Sequence, residues 1–99
     1  MLQHIVMMKL KAVDAELKQE RLEKLASLLN DLQNHIPALQ KMEVGLNFST
    51  RPAAMDIVLS SSFKDEAGLE EYRVHPEHLE VLAYIKEVVE ESRVVDYWV

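Results

Sequence analysis

The central stretch of the chain, residues 42–63, reads MEVGLNFSTRPAAMDIVLSSSF. Its first part, 42–49, alternates apolar residues with polar or small ones, and its last part, 55–63, places Ile57 and Leu59 on the same parity. A period of two is typical of a strand with one buried face. Residues 49–54, where the two parts join, include Ser, Thr and Pro, which favour a turn. The stretch therefore predicts two strands that are joined as a hairpin.

Upstream of this hairpin, the sequence predicts a strand followed by a long helix. Residues 4–11 are apolar on both parities and too few for a typical helix. Asp14 is a suitable N-cap, and Pro37 ends the helical pattern after Ile36. The apolar side of this helix consists of Leu17, Leu22, Leu25, Leu28, Leu29, Leu32 and Ile36.

Downstream of the hairpin, the sequence predicts a helix in two pieces and a last strand. Asp65 can cap the first piece, which runs through Tyr72. His75-Pro76 interrupts the pattern, and a second helical run follows. Residues 93–99 are β-branched and aromatic, which favours a strand.

The predicted order is strand, helix, strand, strand, broken helix, strand, over a single domain of residues 1–99. This is the ferredoxin-like split βαβ arrangement, an α+β fold with a four-stranded antiparallel sheet and helices on one face. The strands carry apolar side chains on both parities, as in His4-Ile5-Val6-Met7-Met8. No further element is available to cover the second face of the sheet. We therefore expect a homodimer that packs two open sheet faces together.

Composition excludes several classes of function. The chain has 17 acidic and 11 basic residues and a net charge of −6, which argues against nucleic acid or an anionic membrane as a partner. The absence of cysteine excludes disulfides and thiol catalysis. No apolar run is long enough for a membrane span and no signal-peptide pattern is visible, so a cytoplasmic protein is expected. The two glycines cannot form a phosphate-binding loop.

Five polar residues are candidates for a ligand-binding site: His4, Asp56, Tyr72, His75 and His78. Imidazole exchanges protons near neutral pH, and a strand carboxylate such as Asp56 needs a partner when it is desolvated. Convergence of these groups would supply a general acid and a general base. Two alternatives stay open, because the same residues could satisfy one another in a structural protein or provide ligands for a metal ion.

Several of these residues occur in a recognisable pattern. The chain has an opening strand that begins near His4, the run Tyr72-x-x-His75-Pro76-x-His78, and a terminal Val-Asp-Tyr at 95–97. In these features it resembles the stress-responsive dimeric α/β-barrel (Dabb) family over essentially its whole length. The resemblance implies a ferredoxin-like protomer and a dimeric α/β barrel.

The resemblance also implies a chemistry. One branch of the family closes a linear polyketide by a cofactor-free aldol condensation, and its motif maps onto His4, Tyr72 and His78, with Tyr72 and His78 in the acid and base roles. That branch has a histidine where this chain has Asp56. We expect a small, partly apolar carbonyl or phenolic ligand between sheet and helices, no cofactor and no resident metal. His78 would act as the general base and Tyr72 as the hydrogen-bond donor to an oxyanion.

Overall fold

The computed structural model describes all 99 residues. The elements in chain order are β1 (Leu2–Leu10), α1 (Ala15–Asp31), a single 3-10 turn (Leu32–Asn34), β2 (Lys41–Leu46), β3 (Ile57–Phe63), α2 (Glu66–Val74), α3 (Pro76–Val88) and β4 (Val89–Trp98). This is the predicted order, and the prediction of a ferredoxin-like α+β fold is confirmed.

The four strands form one antiparallel sheet in the order β2-β3-β1-β4. In the centre of the sheet, Val6 pairs with Leu59 of β3 and with Val94 of β4. Residues that are paired directly across strands point to the same face. The register therefore places His4 and its partner Asp96 on one face, which is the face that the helices cover.

The N-terminal ends of the helices follow from side chains that cap them. An Asp14 carboxylate oxygen accepts a hydrogen bond from the Leu17 amide at 2.9 Å, and Asp65 caps α2 in the same way through the Gly68 amide. At the break between α2 and α3, His75 is extended and its Nδ1 accepts from the Glu77 amide at 3.1 Å. Pro76 then starts α3 at a position where the missing amide hydrogen costs nothing. The predicted break is confirmed.

The core lies between α1 and the helix-covered face of the sheet. Leu25 and Leu29 of α1 and Met8, Ile57 and Phe63 of the sheet are at most 2% exposed. Each buried side chain of this size stabilises the fold by roughly 1.5–3 kcal/mol relative to an exposed one. This packing fixes the sheet against α1 and holds the strands that carry the polar residues.

The end of β2 differs from the sequence prediction. The alternating pattern predicts a strand to residue 49, but β2 ends at Leu46, and Phe48 is 96% exposed. The Asn47 side chain accepts a hydrogen bond from the Ser49 amide and donates one to the Ser49 carbonyl. Such local bonds compete with the strand ladder, and the chain turns away from the sheet at Asn47.

The second face of the sheet is open and apolar at its centre. Met7, Val58, Val95 and Tyr97 lie there and are between 36% and 52% exposed. On β4 the helix-side residues Val94 and Trp98 are exposed as well, because the helices do not extend over this edge.

No helix combines the length and the apolar character that a membrane crossing requires.

Candidate functional site

A cavity of about 360 Å³ lies between the helix-covered face of the sheet and the helices α2 and α3. Its walls are mostly apolar, and it opens to solvent. Its polar lining comes from five residues: His4, Tyr72, Arg73, His78 and Ser92. Apolar cavities with a few convergent polar groups are the usual form of a small-molecule site.

Tyr72 and His78 lie side by side in this cavity because the helix breaks between them. Tyr72 belongs to the last turn of α2 and His78 to the first turn of α3, and their ring centroids are 4.1 Å apart with an interplanar angle of 35°. The Tyr72 ring also contacts Phe63 from below, with a centroid distance of 5.1 Å. The core therefore holds the Tyr72 ring in place and His78 rests against it.

The Tyr72 hydroxyl is free to interact with a ligand. The residue is only 1% exposed, and its hydroxyl makes no hydrogen bond within the chain. No fully buried side-chain nitrogen or oxygen lacks a partner, so this hydroxyl must reach the open space of the cavity. Burial raises the pKa of the phenol to about 12, and Tyr72 is therefore a hydrogen-bond donor at neutral pH.

His78 presents a proton acceptor at the same place. Its Nδ1 lies 3.1 Å from the Arg73 carbonyl oxygen, which can only accept, so Nδ1 carries the proton. Nε2 of the neutral ring then has a free lone pair. Burial lowers the pKa of His78 below its ordinary value, and the bond to the Arg73 carbonyl opposes this shift. A neutral His78 is a competent general base at neutral pH.

His4 completes the polar end of the cavity, and its partner is Asp96. The two residues are directly opposite each other on β1 and β4, and His4 Nδ1 is 2.5 Å from a carboxylate oxygen of Asp96. The His4 ring lies edge-on to Tyr72 with a centroid distance of 6.3 Å. A carboxylate on one ring nitrogen fixes the orientation of an imidazole and leaves the other nitrogen for a ligand.

Two of the five sequence candidates do not line the cavity. Asp56 lies at the opposite end of β1 from His4, where its carboxylate accepts from the Leu10 amide and pairs with Lys18 Nζ, both at 2.8 Å. The partners of the Asp56 carboxylate are thus Lys18 and a backbone amide, and no histidine. His75 uses its Nδ1 to cap α3. Both residues stabilise the framework around the site.

Sequence reasoning missed Asp96 and Arg73. Asp96 stands in a strand of alternating residues, and only the register between β1 and β4 reveals that it faces His4. Arg73 follows Tyr72 directly, and its sequence context is that of an ordinary exposed helix residue. No group of three or more His, Asp or Glu side chains is close enough to hold a metal ion.

Comparison with known proteins gives a family and several solved structures. The family model described as Stress responsive A/B Barrel Domain matches residues 2–99. A dimeric protein of unknown function with a ferredoxin-like fold from Bacteroides fragilis is 30% identical, with a TM-score of 0.91 over 99% of this chain and 95% of that one. No curated protein matches the sequence.

Two further structures share the fold at lower identity. A dimeric ferredoxin-like protein of unknown function from Thermobifida fusca is 21% identical, with a TM-score of 0.84 over 99% of this chain and 90% of that one. The hydroxynitrile lyase from Passiflora edulis is 20% identical, with a TM-score of 0.84 over 99% of this chain and 92% of that one. At these identities the likeness shows the fold alone.

Proposed function

Because this chain belongs to the stress-responsive A/B barrel domain family, we propose that it is a homodimer that acts on a small, partly apolar carbonyl or phenolic compound. The reaction is cofactor-free acid–base chemistry in the cavity beneath α2 and α3. One observation carries this proposal: an unpartnered phenol hydroxyl and a free imidazole lone pair share one apolar cavity. The five sequence candidates thus reduce to His4, Tyr72 and His78, with Asp96 added.

The dimer follows from the open face of the sheet. The exposed side chains of Met7, Val58, Val95 and Tyr97 form a patch on that face that nothing in the chain covers. Patches of this kind mark association surfaces, and a two-fold pair covers the same patch on both copies at once. The Bacteroides fragilis relative is a dimer, which supports this assignment.

The proposed step is removal of a proton next to a carbonyl group. His78 Nε2 takes the proton from the carbon, and the electron pair of the broken C–H bond moves to the carbonyl oxygen as an enolate. The Tyr72 hydroxyl donates a hydrogen bond to this developing oxyanion. Return of the proton from His78 to carbon completes the cycle. Alternatively, the enolate carbon attacks a second carbonyl, whose π electrons move to its oxygen, and protonated His78 gives its proton to the resulting alkoxide. The His4–Asp96 pair positions the ligand at the polar end.

The Passiflora edulis neighbour supports the catalytic form of the proposal in one respect. It is named as a lyase and has the same fold, so this fold can carry lyase chemistry. The contrasting possibility is a structural protein whose polar residues only satisfy one another. The Tyr72 hydroxyl argues against it, because that group has no partner to satisfy.

The test follows proton exchange at carbon directly. Phenylacetone is incubated with the protein in D₂O, and the loss of its α-proton NMR signals gives the exchange rate. We expect His78→Gln to lower the enzyme-dependent rate by about 10²–10⁴-fold and Tyr72→Phe by about 10²-fold. His35→Gln is the matched control, because His35 is also a helix-terminal histidine but pairs with Asp31 outside the cavity.

The pH dependence gives a second check on the same residues. The rate should rise with pH and level off, with a midpoint below the value of about 6.5 that is usual for histidine. It should then stay level until the phenol ionises near pH 12. If His78→Gln left the exchange rate unchanged, His78 would not be the general base. A native mass spectrum that shows only monomer would rule out the dimer.

A further inference from the structure

The charges around the cavity differ in sign from the charge of the whole chain. The protein has 17 acidic against 11 basic residues, yet no Asp or Glu lines the cavity. The lining residues include one with a permanently charged side chain, Arg73, and two histidines, His4 and His78. Asp96, which does not line the cavity, is paired with His4.

Arg73 lies in the last turn of α2 and is one of the residues that line the cavity. It follows Tyr72 directly, and its own carbonyl holds His78 in position. Burial is the main cause of the lowered pKa of His78, and the guanidinium charge of Arg73 adds to it. The residues that carry a cation, a phenol donor and a base therefore line the same cavity.

The guanidinium is not committed to a strong partner. Arg73 Nη1 lies 2.9 Å from a Glu70 carboxylate oxygen, one helical turn earlier, and the two side chains are 64% and 60% exposed. Exposed pairs of this spacing are weak, and the long Arg side chain can exchange such a partner for a ligand at small cost. A planar guanidinium binds a carboxylate through two parallel hydrogen bonds.

We propose that the ligand of this cavity is anionic, a carboxylate-bearing carbonyl or phenolic compound, and that Arg73 is the residue that recognises its charge. The inference rests on the proposed function and specifies its ligand class. In this arrangement the carbonyl or phenol end of the ligand lies against Tyr72 and His78, and the carboxylate lies beside Arg73. Arg73 exchanges Glu70 for the ligand carboxylate as the ligand enters.

The test compares two probes of nearly the same shape, 4-hydroxybenzoate and its neutral amide, by calorimetric or NMR titration. We expect the wild-type protein to bind the anion about tenfold more tightly, as a charge-assisted hydrogen bond provides. Arg73→Gln should abolish this preference and leave amide binding unchanged. Glu70→Gln should increase the preference, because it frees the guanidinium and removes a competing negative charge.

Arg51→Gln is the control for net charge, since Arg51 is an exposed residue of the β2–β3 loop and does not line the cavity. It should leave the preference for the anion intact. Equal binding of the two probes, or a preference that survives Arg73→Gln, overturns the inference while the proposed function stands. Binding of neither probe, together with no exchange of phenylacetone, overturns both.

Discussion

The two faces of the single sheet carry similar apolar residues in opposite surroundings. Met7 and Met8 are neighbours in β1, yet Met8 is 1% exposed beneath the helices and Met7 is 43% exposed on the open face. Val58 and Leu59 differ in the same way on β3, at 36% and 4%. Hydrophobicity alone therefore does not predict what a side chain packs against. Alternate residues of a strand point to opposite faces of the sheet, and only one face is covered by the helices.

The polar residues of the two faces differ as well. On the helix-covered face, His4 and Asp96 are bonded to each other beside a cavity. On the open face, Lys9, Glu43 and Glu91 lie toward the margins of the sheet, and Arg93, which is opposite Met7, pairs with Glu91. A polar pair beside a cavity is an arrangement for a ligand, and an apolar centre with a charged margin is typical of an interface.

Substitution of the two methionines tests the difference between the two faces most directly, and we expect it to have the largest effect on stability. We expect Met8→Ala to lower the free energy of unfolding by about 2–5 kcal/mol at every protein concentration, because it opens a hole in the core. Met7→Ala should instead act through association, so that its effect grows on dilution. Denaturant unfolding at two protein concentrations, with sedimentation of the native protein, separates the two cases.

If the open face were an ordinary wet surface, Met7→Ala would leave both the unfolding curve and the sedimentation coefficient unchanged. If both variants shifted unfolding equally at every concentration, the two faces would not have separate roles. The pair is matched, since the same atoms are removed from adjacent positions of one strand.

Much of the fold could be predicted from local signals. The caps Asp14 and Asp65 and the His75-Pro76 break act within a few residues of their own position, and the structure confirms each of them. Apolar residues on both parities of β1 correctly indicated a second apolar face. These features depend on short-range geometry, which a sequence records directly.

The site could be predicted only in part, because its contacts are long-range. Tyr72 and His78 are six positions apart, and the helix break brings them together. The His4–Asp96 contact joins positions 92 residues apart and depends on strand register, so the sequence alone did not single out Asp96. Asp56 instead follows the turn into β3 and meets Lys18 and the Leu10 amide. Phe48 lies beyond the end of β2, because the Asn47 side chain forms hydrogen bonds with Ser49 and the chain turns away from the sheet there.

The buried phenol of Tyr72, on the helix-covered face, should make the free energy of unfolding depend on pH in the alkaline range. Its pKa is about 12 when folded and about 10 when unfolded, so the folded state holds the proton more tightly. This contribution is complete below pH 10 and is lost as the pH rises from 10 toward 12, by up to about 2–3 kcal/mol. Tyr72→Phe should remove this loss, as measured by unfolding between pH 9 and about 12.

Tyr84→Phe is the comparison variant, because burial raises the pKa of that half-buried phenol too, against the opposing charge of Arg21. We expect it to change the alkaline slope less than Tyr72→Phe does. An unchanged slope in Tyr72→Phe would mean that the hydroxyl is well hydrated, which would contradict its place in an apolar cavity.

Phe48 lies in the loop beside the open face, and its substitution tests whether the interface reaches this loop. We expect it to have the smallest effect of the predicted changes. It is 96% exposed next to a groove that also includes Met7 and Val58 of the open face, so a partner that covers the face would cover the Phe48 ring as well. We expect Phe48→Ser to raise the dimer dissociation constant about tenfold, with little change in protomer stability, since truncated interface aromatics commonly cost more than 1 kcal/mol. Thr50→Ser, two residues further along the same loop, is the control. Dimer dissociation on dilution, followed by native mass spectrometry, measures both variants, and a Phe48→Ser dimer as tight as the wild type would confine the interface to the sheet face.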